Sequence, residues 1–209
     1  MPIEIKSLDT VVEAAKDFLQ KVITPPLEEV GLLVSDQVKL WRFKNQVAIL
    51  NKAEAYLKEK NIKTKKVSLK ILTPLLENAS IEEEEKLQDK WAQLLANTIK
   101  EDSIINTTVY SHILSQMTST DAELFEWLCK ALLQYNNSTG VDVIIYGPKS
   151  LTFKYQEVET LFKECSVSID NLIRLRLIKD LNPVSLSDSS AKVSLTNLGF
   201  HFMIACNFK

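Results

Sequence analysis

The longest regular hydrophobic pattern in the chain runs from Leu33 to Leu57. Six of the eight positions reached by alternating steps of three and four residues in this stretch are apolar. These positions are Leu33, Asp36, Leu40, Phe43, Val47, Leu50, Glu54 and Leu57. Such spacing is typical of one face of an α-helix, and a face this broad must be covered by other elements. We therefore predict a long helix from about Pro26 to about Lys60, against which neighbouring helices pack.

Two shorter helical patterns follow the long one. Residues 67–78 form the first, and the second carries an apolar face that begins at Leu87. Ser80 and Glu83 have the spacing of a capping box, which predicts that the second helix begins directly after Ser80. We expect its apolar face to cover the long helix. The predicted core anchors of this bundle are Trp41, Phe43, Trp91, Leu94 and Leu95.

The pattern changes after residue 117. Thr120 and Glu123 have the spacing of a second capping box and predict the start of a helix. One further helix is predicted over 155–165, one is capped by Ser168, and a last one runs from 196 to 206. Short β-branched runs, which favour strands, lie at 141–146, 177–179 and 192–195.

This order of elements predicts the fold class. Helices followed by a two-stranded hairpin are typical of a winged helix. We therefore predict a mainly α protein with an N-terminal helical bundle, residues 1–117, organised around the one long helix. A C-terminal winged-helix-like (α+β) domain is predicted over residues 118–209.

Composition and charge exclude several classes of protein. The 209 residues are 45% apolar and 25% charged, which is usual for folded domains. The net charge of −2 produces no overall attraction to nucleic acid. Four glycines argue against a glycine-rich phosphate loop, and no segment reaches about 18 uninterrupted apolar residues. We expect a soluble, cytoplasmic protein that does not bind membranes.

Residues that carry out chemistry in other proteins are sparse. Cys129, Cys165 and Cys206 are far apart and show no metal-ligand spacing, so we expect free, buried thiols. The two histidines, His112 and His201, are also far apart. No GxSxG, HExxH or P-loop pattern occurs. The sequence therefore predicts no catalytic residue, no metal site, no cofactor and no small-molecule site.

Two basic clusters are candidate contacts for nucleic acid or for a partner protein. The first is Lys63, Lys65 and Lys66 in a lysine-rich connector, for which a solvated loop is the simpler interpretation. The second is Arg174, Arg176 and Lys179, at the end of the predicted recognition helix. Residues 106–209 contain nine Lys or Arg and ten Asp or Glu, which is a poor electrostatic surface for nucleic acid.

Five segments carry a resemblance to a known family. They are KLWRFKNQVAIL at 39–50, LENASIEEEEKLQDKWAQLLAN at 76–97, ILSQMTSTDAELFEWL at 113–128, NLIRLRLI at 171–178 and LTNLGFHFMIAC at 195–206. With them, nearly the whole chain resembles the abortive-infection alpha (Abi-alpha) family of bacterial phage-defence proteins. The chain departs from the RLGLI segment of many winged helices at Arg176, where glycine is usual. The resemblance implies a role in phage defence and supplies no catalytic residues.

Three functions remain as alternatives. The first is a non-catalytic effector of abortive infection that acts through protein contacts, with a phage-derived protein or a second copy of the chain as partner. The second is a nucleic-acid-binding regulator that uses the winged helix. The third, which has the least support, is a toxin enzyme that uses scattered carboxylates.

Overall fold

A computed structural model describes most of the chain from residue 37 onward. The described residues are Glu13, Asp17, Phe18, Lys21, 37–105, 107–137, 150–154, 165–181 and 190–208. The chain divides into two compact units, residues 1–115 and residues 116–209, which are described separately below. The described residues form seven helices and three short strands, so the mainly helical fold class is confirmed. The domain boundary predicted between residues 117 and 118 stays a prediction.

Unit 1, residues 1–115, is entirely helical over its described elements. These are α1 (Gln37–Glu59), α2 (Leu69–Ala79), α3 (Glu85–Ile99) and α4 (Val109–Leu114). The long helix α1 packs more extensively against α3 than against any other helix, as the two apolar faces predict. Its end near residue 60 is also confirmed, whereas its predicted start at Pro26 lies outside the described residues.

A left-handed residue ends the long helix. Asn61 has φ 50°, its N–H donates to the Lys58 carbonyl at 3.1 Å, and the Ile62 N–H donates to the Leu57 carbonyl at 2.9 Å. This pair of bonds is a Schellman motif, which satisfies carbonyls that the helix end leaves without partners. Asparagine is favoured there because it tolerates the left-handed region better than most residues. The chain can therefore turn sharply into the lysine-rich connector.

The core of unit 1 is built on α3. Trp91 is 1% exposed, and Leu94 and Leu95 are fully buried, as expected for core anchors. Trp41 and Phe43 on α1 are only half-buried. Burial of a large apolar side chain stabilises a fold by about 1.5–3 kcal/mol. Helix α1 contributes to the core through Val47, Ile49 and Leu50 instead of Trp41 and Phe43.

The capping box predicted at Ser80 is wrong. Helix α3 begins at Glu85, and Ser80 is instead the C-cap of α2. The Ser80 hydroxyl donates to the Glu77 carbonyl at 2.6 Å and so belongs to the preceding helix. In the connector, the Glu82 carboxylate accepts a bond from the Glu84 N–H at 3.0 Å. Only Glu85 of the acidic run lies in the first turn of α3.

Unit 2, residues 116–209, combines helices with a small sheet. Its described elements are α5 (Ser119–Asn137), β1 (Ser150–Lys154), α6 (Cys165–Arg174), β2 (Ile178–Asp180), β3 (Ser190–Leu195) and α7 (Asn197–Cys206). The strand order is β1-β3-β2, and both pairs are antiparallel. The strands predicted at 177–179 and 192–195 correspond to β2 and β3, whereas β1 was not predicted. The strand predicted at 141–146 and most of the helix at 155–165 lie outside the described residues.

Three phenylalanines form the centre of unit 2. Phe125 on α5 lies 5.9 Å from Phe202 on α7 and 5.1 Å from Phe208, measured between ring centroids. Phe202 and Phe208 lie 5.6 Å apart. These separations are within the range that stabilises aromatic pairs. The three cysteines are buried and free, as predicted.

The helix starts in unit 2 differ in detail from the predictions. Thr118, and not Thr120, pairs with α5, because the Asp121 N–H donates to Thr118 Oγ1 at 3.2 Å. The Asp121 carboxylate accepts in return from the Thr118 N–H at 2.8 Å, which completes a reciprocal cap. Ser168 lies inside α6 and is buried, so it does not cap that helix. Thr196 caps α7 by accepting from the Gly199 N–H at 2.8 Å.

Candidate functional site

The first predicted basic cluster lies in a short ribbon after α1. The Lys65 N–H donates to the Ile99 carbonyl at 2.7 Å, and the Glu101 N–H donates to the Lys63 carbonyl at 2.8 Å. Lys65 is half-buried, and its ammonium donates to the Ser103 carbonyl at 2.5 Å. Lys63 and Lys66 are exposed. The cluster therefore divides into one structural lysine and two surface lysines.

The second predicted cluster also divides. Arg174 donates through Nε and Nη2 to Asn171 Oδ1, at 3.0 and 2.7 Å. Its Nη1 donates to Gln116 Oε1 at 2.9 Å. Arg176 and Lys179 are exposed, and no described residue pairs with their charges. The guanidinium of Arg174 is therefore already engaged in tying α6 to the residues before α5.

A buried carboxylate extends the Arg174 contacts. Asp121 is 3% exposed, and its Oδ2 accepts from Asn171 Nδ2 at 2.8 Å as well as from the Thr118 N–H. Asn171 Nδ2 also donates to the Gln116 carbonyl at 3.1 Å. A carboxylate at a helix N-terminus is stabilised by the helix dipole and by these donors. The network joins residues 50 or more positions apart and holds α6 beside the start of α5.

The outward face of α6 is not basic along its length. Its exposed residues are Ser166, Val167, Asp170 and Arg174, and Val167 is 63% exposed. DNA-reading helices contact bases mainly through residues of their N-terminal part. Here that part carries an apolar residue and then an acid. These residue types favour contact with protein over contact with phosphates.

A set of polar contacts between α1 and α2 was not predicted. Arg42, Asn45 and Gln46 lie on one face of α1 and reach the C-terminal end of α2. Arg42 Nε donates to Ser80 Oγ at 2.9 Å, and Asn45 Nδ2 donates to the Ser80 carbonyl at 3.0 Å. We call these three α1 residues, together with Ser80, the α1–α2 clamp.

The clamp satisfies carbonyls at a helix end. Gln46 Nε2 donates to the Leu76 carbonyl at 3.2 Å, and Arg42 Nη2 makes a longer contact of 3.5 Å with the Glu77 carbonyl. The last four carbonyls of an α-helix have no partner within the helix. Here the Ser80 N–H already donates to the Leu76 and Glu77 carbonyls, at 3.0 and 3.3 Å, and the α1 side chains add a further donor to each. The signal in the sequence was three side-chain donors at spacings of three and four residues within KLWRFKNQVAIL.

A second polar link joins α1 to α3. The Lys52 ammonium lies 2.6 Å from Asp89 Oδ1 and 3.9 Å from Glu85 Oε1. Both carboxylates are largely exposed, and exposed ion pairs contribute only about 0–1 kcal/mol. This link orients α1 against α3 more than it stabilises the bundle.

The described residues contain no metal-binding cluster and no membrane-spanning helix. Among them, no group of three or more His, Cys, Asp or Glu side chains could hold a metal ion. None of the described helices is long and apolar enough to cross a bilayer. One open cavity of about 280 Å³ lies at the end of α1, with Leu57, Ile62 and Phe18 among its lining residues. It is at the lower limit of small-molecule sites, which begin at about 300 Å³.

Comparison with known proteins gives one match. The family profile for abortive infection alpha matches residues 35–206, which is most of the chain. The clamp in unit 1 and the Asp121 network in unit 2 both lie within the matched range. No curated protein and no solved structure matches the chain significantly.

Proposed function

The chain belongs to the abortive infection alpha family, and on that premise we propose that it is a non-catalytic effector of anti-phage defence in the bacterial cytoplasm. It acts by binding another protein through exposed surfaces of its helices. The observation that carries this proposal is the match over residues 35–206. Two sets of polar contacts add support, because the α1–α2 clamp and the Asp121 network are structural and face other parts of the same unit.

We also propose that unit 2 is a winged-helix-like module used for protein contact. Its described elements follow the order helix, strand, helix, strand, strand, helix, and the sheet order is β1-β3-β2. Helix α6 takes the place of the recognition helix in this arrangement. Val167 and Asp170 on its outward face suit a protein partner better than a phosphate backbone.

A nucleic-acid-binding regulator is the second candidate function. Its support is the exposed pair Arg176 and Lys179, which lie just beyond α6, together with Lys192 on β3. Against it stands Arg174, whose guanidinium is engaged by Gln116 and Asn171. A shift of labelled duplex DNA or RNA at low salt, lost on raising the salt, would favour this function because phosphate contacts are salt-dependent.

The proposed function is tested by phage challenge. Cells that carry the gene with its genomic neighbours are infected with a panel of phages, and plaque counts and host survival are measured. We expect fewer plaques together with death or arrest of infected cells at high phage dose. Equal plaque counts with and without the gene for every phage would contradict the defence role.

A further inference from the structure

The loop between α3 and α4 displays apolar surface. Ile104 is 86% exposed, the highest value among the large hydrophobic side chains that the structure describes. Val109, where α4 begins, is 43% exposed. Single exposed apolar residues are common on proteins, so exposure alone assigns no role to Ile104. Whether Ile104 contacts a partner depends on how rigidly the loop is held and on the charged residues near it.

The loop is held in place by several hydrogen bonds next to Ile104. The carbonyl of Ser103 accepts from the Lys65 ammonium at 2.5 Å, and the hydroxyl of Ser103 accepts from the Ile105 N–H at 3.1 Å. The Ser103 N–H donates to the Lys100 carbonyl at 3.0 Å, which closes a turn. Both residues that flank Ile104 are therefore fixed. A backbone held in this way loses little conformational freedom on binding, which favours affinity.

The segment that is paired with this loop is rich in lysine. Residues 58–70 and 100–102 contain seven lysines and three acids. An antiparallel bridge between Thr64 and Lys100 places the two segments side by side. Lys63 and Lys66 are exposed, and within the described part of unit 1 neither has an acidic partner. Two unneutralised cations thus lie on the segment paired with the one that leads to Ile104.

We propose that Ile104, with Lys63 and Lys66, forms a docking surface for an acidic segment of another protein. An aliphatic pocket of that partner receives Ile104, and carboxylates around the pocket face the two lysines. An apolar centre with a charged rim is the usual anatomy of a protein–protein interface. This inference rests on the proposed function, because it names the surface and the partner chemistry through which the effector acts.

A protein fits this surface better than a nucleic acid does. Isoleucine can neither stack on a base nor hydrogen-bond to one, and recognition of single strands depends on aromatic stacking. Glu101 and Asp102, both exposed, would repel a phosphate backbone beside the same loop. A folded acidic partner can instead place its carboxylates opposite Lys63 and Lys66 and away from these two acids.

The test uses a photo-crosslinking amino acid at position 104 in the full chain, expressed in cells during phage infection. The matched control carries it at position 81, where Ile81 is 53% exposed in the connector between α2 and α3. We expect a crosslink from position 104 whose attached peptide, identified by mass spectrometry, is rich in Asp and Glu. Lys63→Glu with Lys66→Glu should reduce its yield at least about tenfold, equivalent to about 1.4 kcal/mol.

Ile104→Asp tests the apolar half of the surface. It should weaken protection in plaque assays while thermal unfolding stays unchanged, and Ile81→Asp should leave both unchanged, because surface substitutions shift stability by only about 0.5 kcal/mol. Equal crosslinks at positions 104 and 81, or none at 104, would overturn the proposal. A nuclease-sensitive product, a second copy of the chain, or a partner peptide without acids would overturn it too.

The crosslink and the plaque assay separate this inference from the proposed function. If an acidic protein crosslinks at position 104 but the wild-type chain protects against no phage, the docking surface stands and the defence role fails. If the wild type protects and Ile104→Asp protects equally without a crosslink, the defence role stands and the docking surface fails.

Discussion

The α1–α2 clamp makes a quantitative prediction for Asn45. Its side-chain amide is the donor that the structure places on the Ser80 carbonyl, at 3.0 Å, and Ser80 is fully buried. Asn45→Ala removes that donor and leaves a buried carbonyl without its partner. Such a loss costs about 1–3 kcal/mol. Unit 1 should lose that much free energy of unfolding beyond any effect of helix propensity.

Asn51 provides a matched control on the same helix. It is half-buried like Asn45, and its side chain makes no hydrogen bond within the described part of unit 1. Asn51→Ala changes helix propensity by the same amount as Asn45→Ala, so the difference between the two variants isolates the clamp. Asn45→Asp is a further test, because it keeps the side-chain shape but turns an acceptor toward the Ser80 carbonyl. We expect it to be at least as destabilising as alanine.

Urea unfolding followed by tryptophan fluorescence gives the measurement. Trp41 and Trp91 lie in unit 1 and Trp127 lies in unit 2, so a Trp127→Phe background reports on unit 1 alone. The transition midpoint should fall for Asn45→Ala with an unchanged slope against urea. If Asn45→Ala and Asn51→Ala agree within about 0.5 kcal/mol, the clamp makes no net contribution and the reasoning fails.

Three further predictions concern unit 2 and are checked by urea or thermal unfolding. Gly199→Ala should lower the free energy of unfolding by about 3 kcal/mol or more. The added Cβ would lie 1.9 Å from the Leu177 carbonyl oxygen, which belongs to the backbone and cannot move aside. An unchanged free energy of unfolding would contradict this packing. Arg176→Gly should raise stability by about 0.5–1 kcal/mol, since Arg176 has φ 59°, and a loss of stability would refute the argument. Asp121→Ala should lower the free energy of unfolding by about 1–3 kcal/mol, because it removes the acceptor of Asn171. Glu123→Ala, at an exposed position of the same helix, should lower it much less. Equal losses for the two variants would show that the network does not stabilise unit 2.

The positions of most described helices could be predicted from periodicity, but their caps could not. Residues 118–123 contain two overlapping capping patterns, Thr118 with Asp121 and Thr120 with Glu123. The chain uses the first, in which Asp121 also accepts from Asn171, 50 residues away. A local pattern cannot include a partner so distant in sequence. The same reason explains the error at Ser80, whose hydroxyl accepts from Arg42, 38 residues before it.

At Arg176 the sequence did contain a sign of local structure. The residue stands where glycine is usual, but the sequence alone did not show which backbone conformation it adopts. Glycine was expected there, and Arg176 does occupy the left-handed region that favours glycine. Its N–H donates to the Ile173 carbonyl at 2.8 Å, and the Leu177 N–H donates to the Leu172 carbonyl at 3.0 Å. The same Schellman geometry thus forms with a less favourable residue. The left-handed turn thus carries an exposed cation beside β2.

The segment KLWRFKNQVAIL, at 39–50, reports the fold and says little about the target. One part of KLWRFKNQVAIL is apolar and covers α3, and its polar residues Arg42, Asn45 and Gln46 close the end of α2. The side chains of Arg42, Asn45 and Gln46 are engaged inside unit 1, so these three residues are poor candidates for contact with a partner. We expect the residues that select the partner to lie where the backbone is held in place but the side chains make no bonds within the fold. In unit 1, the described loop around Ile104 meets that requirement, and for this reason its substitution should alter function without altering stability.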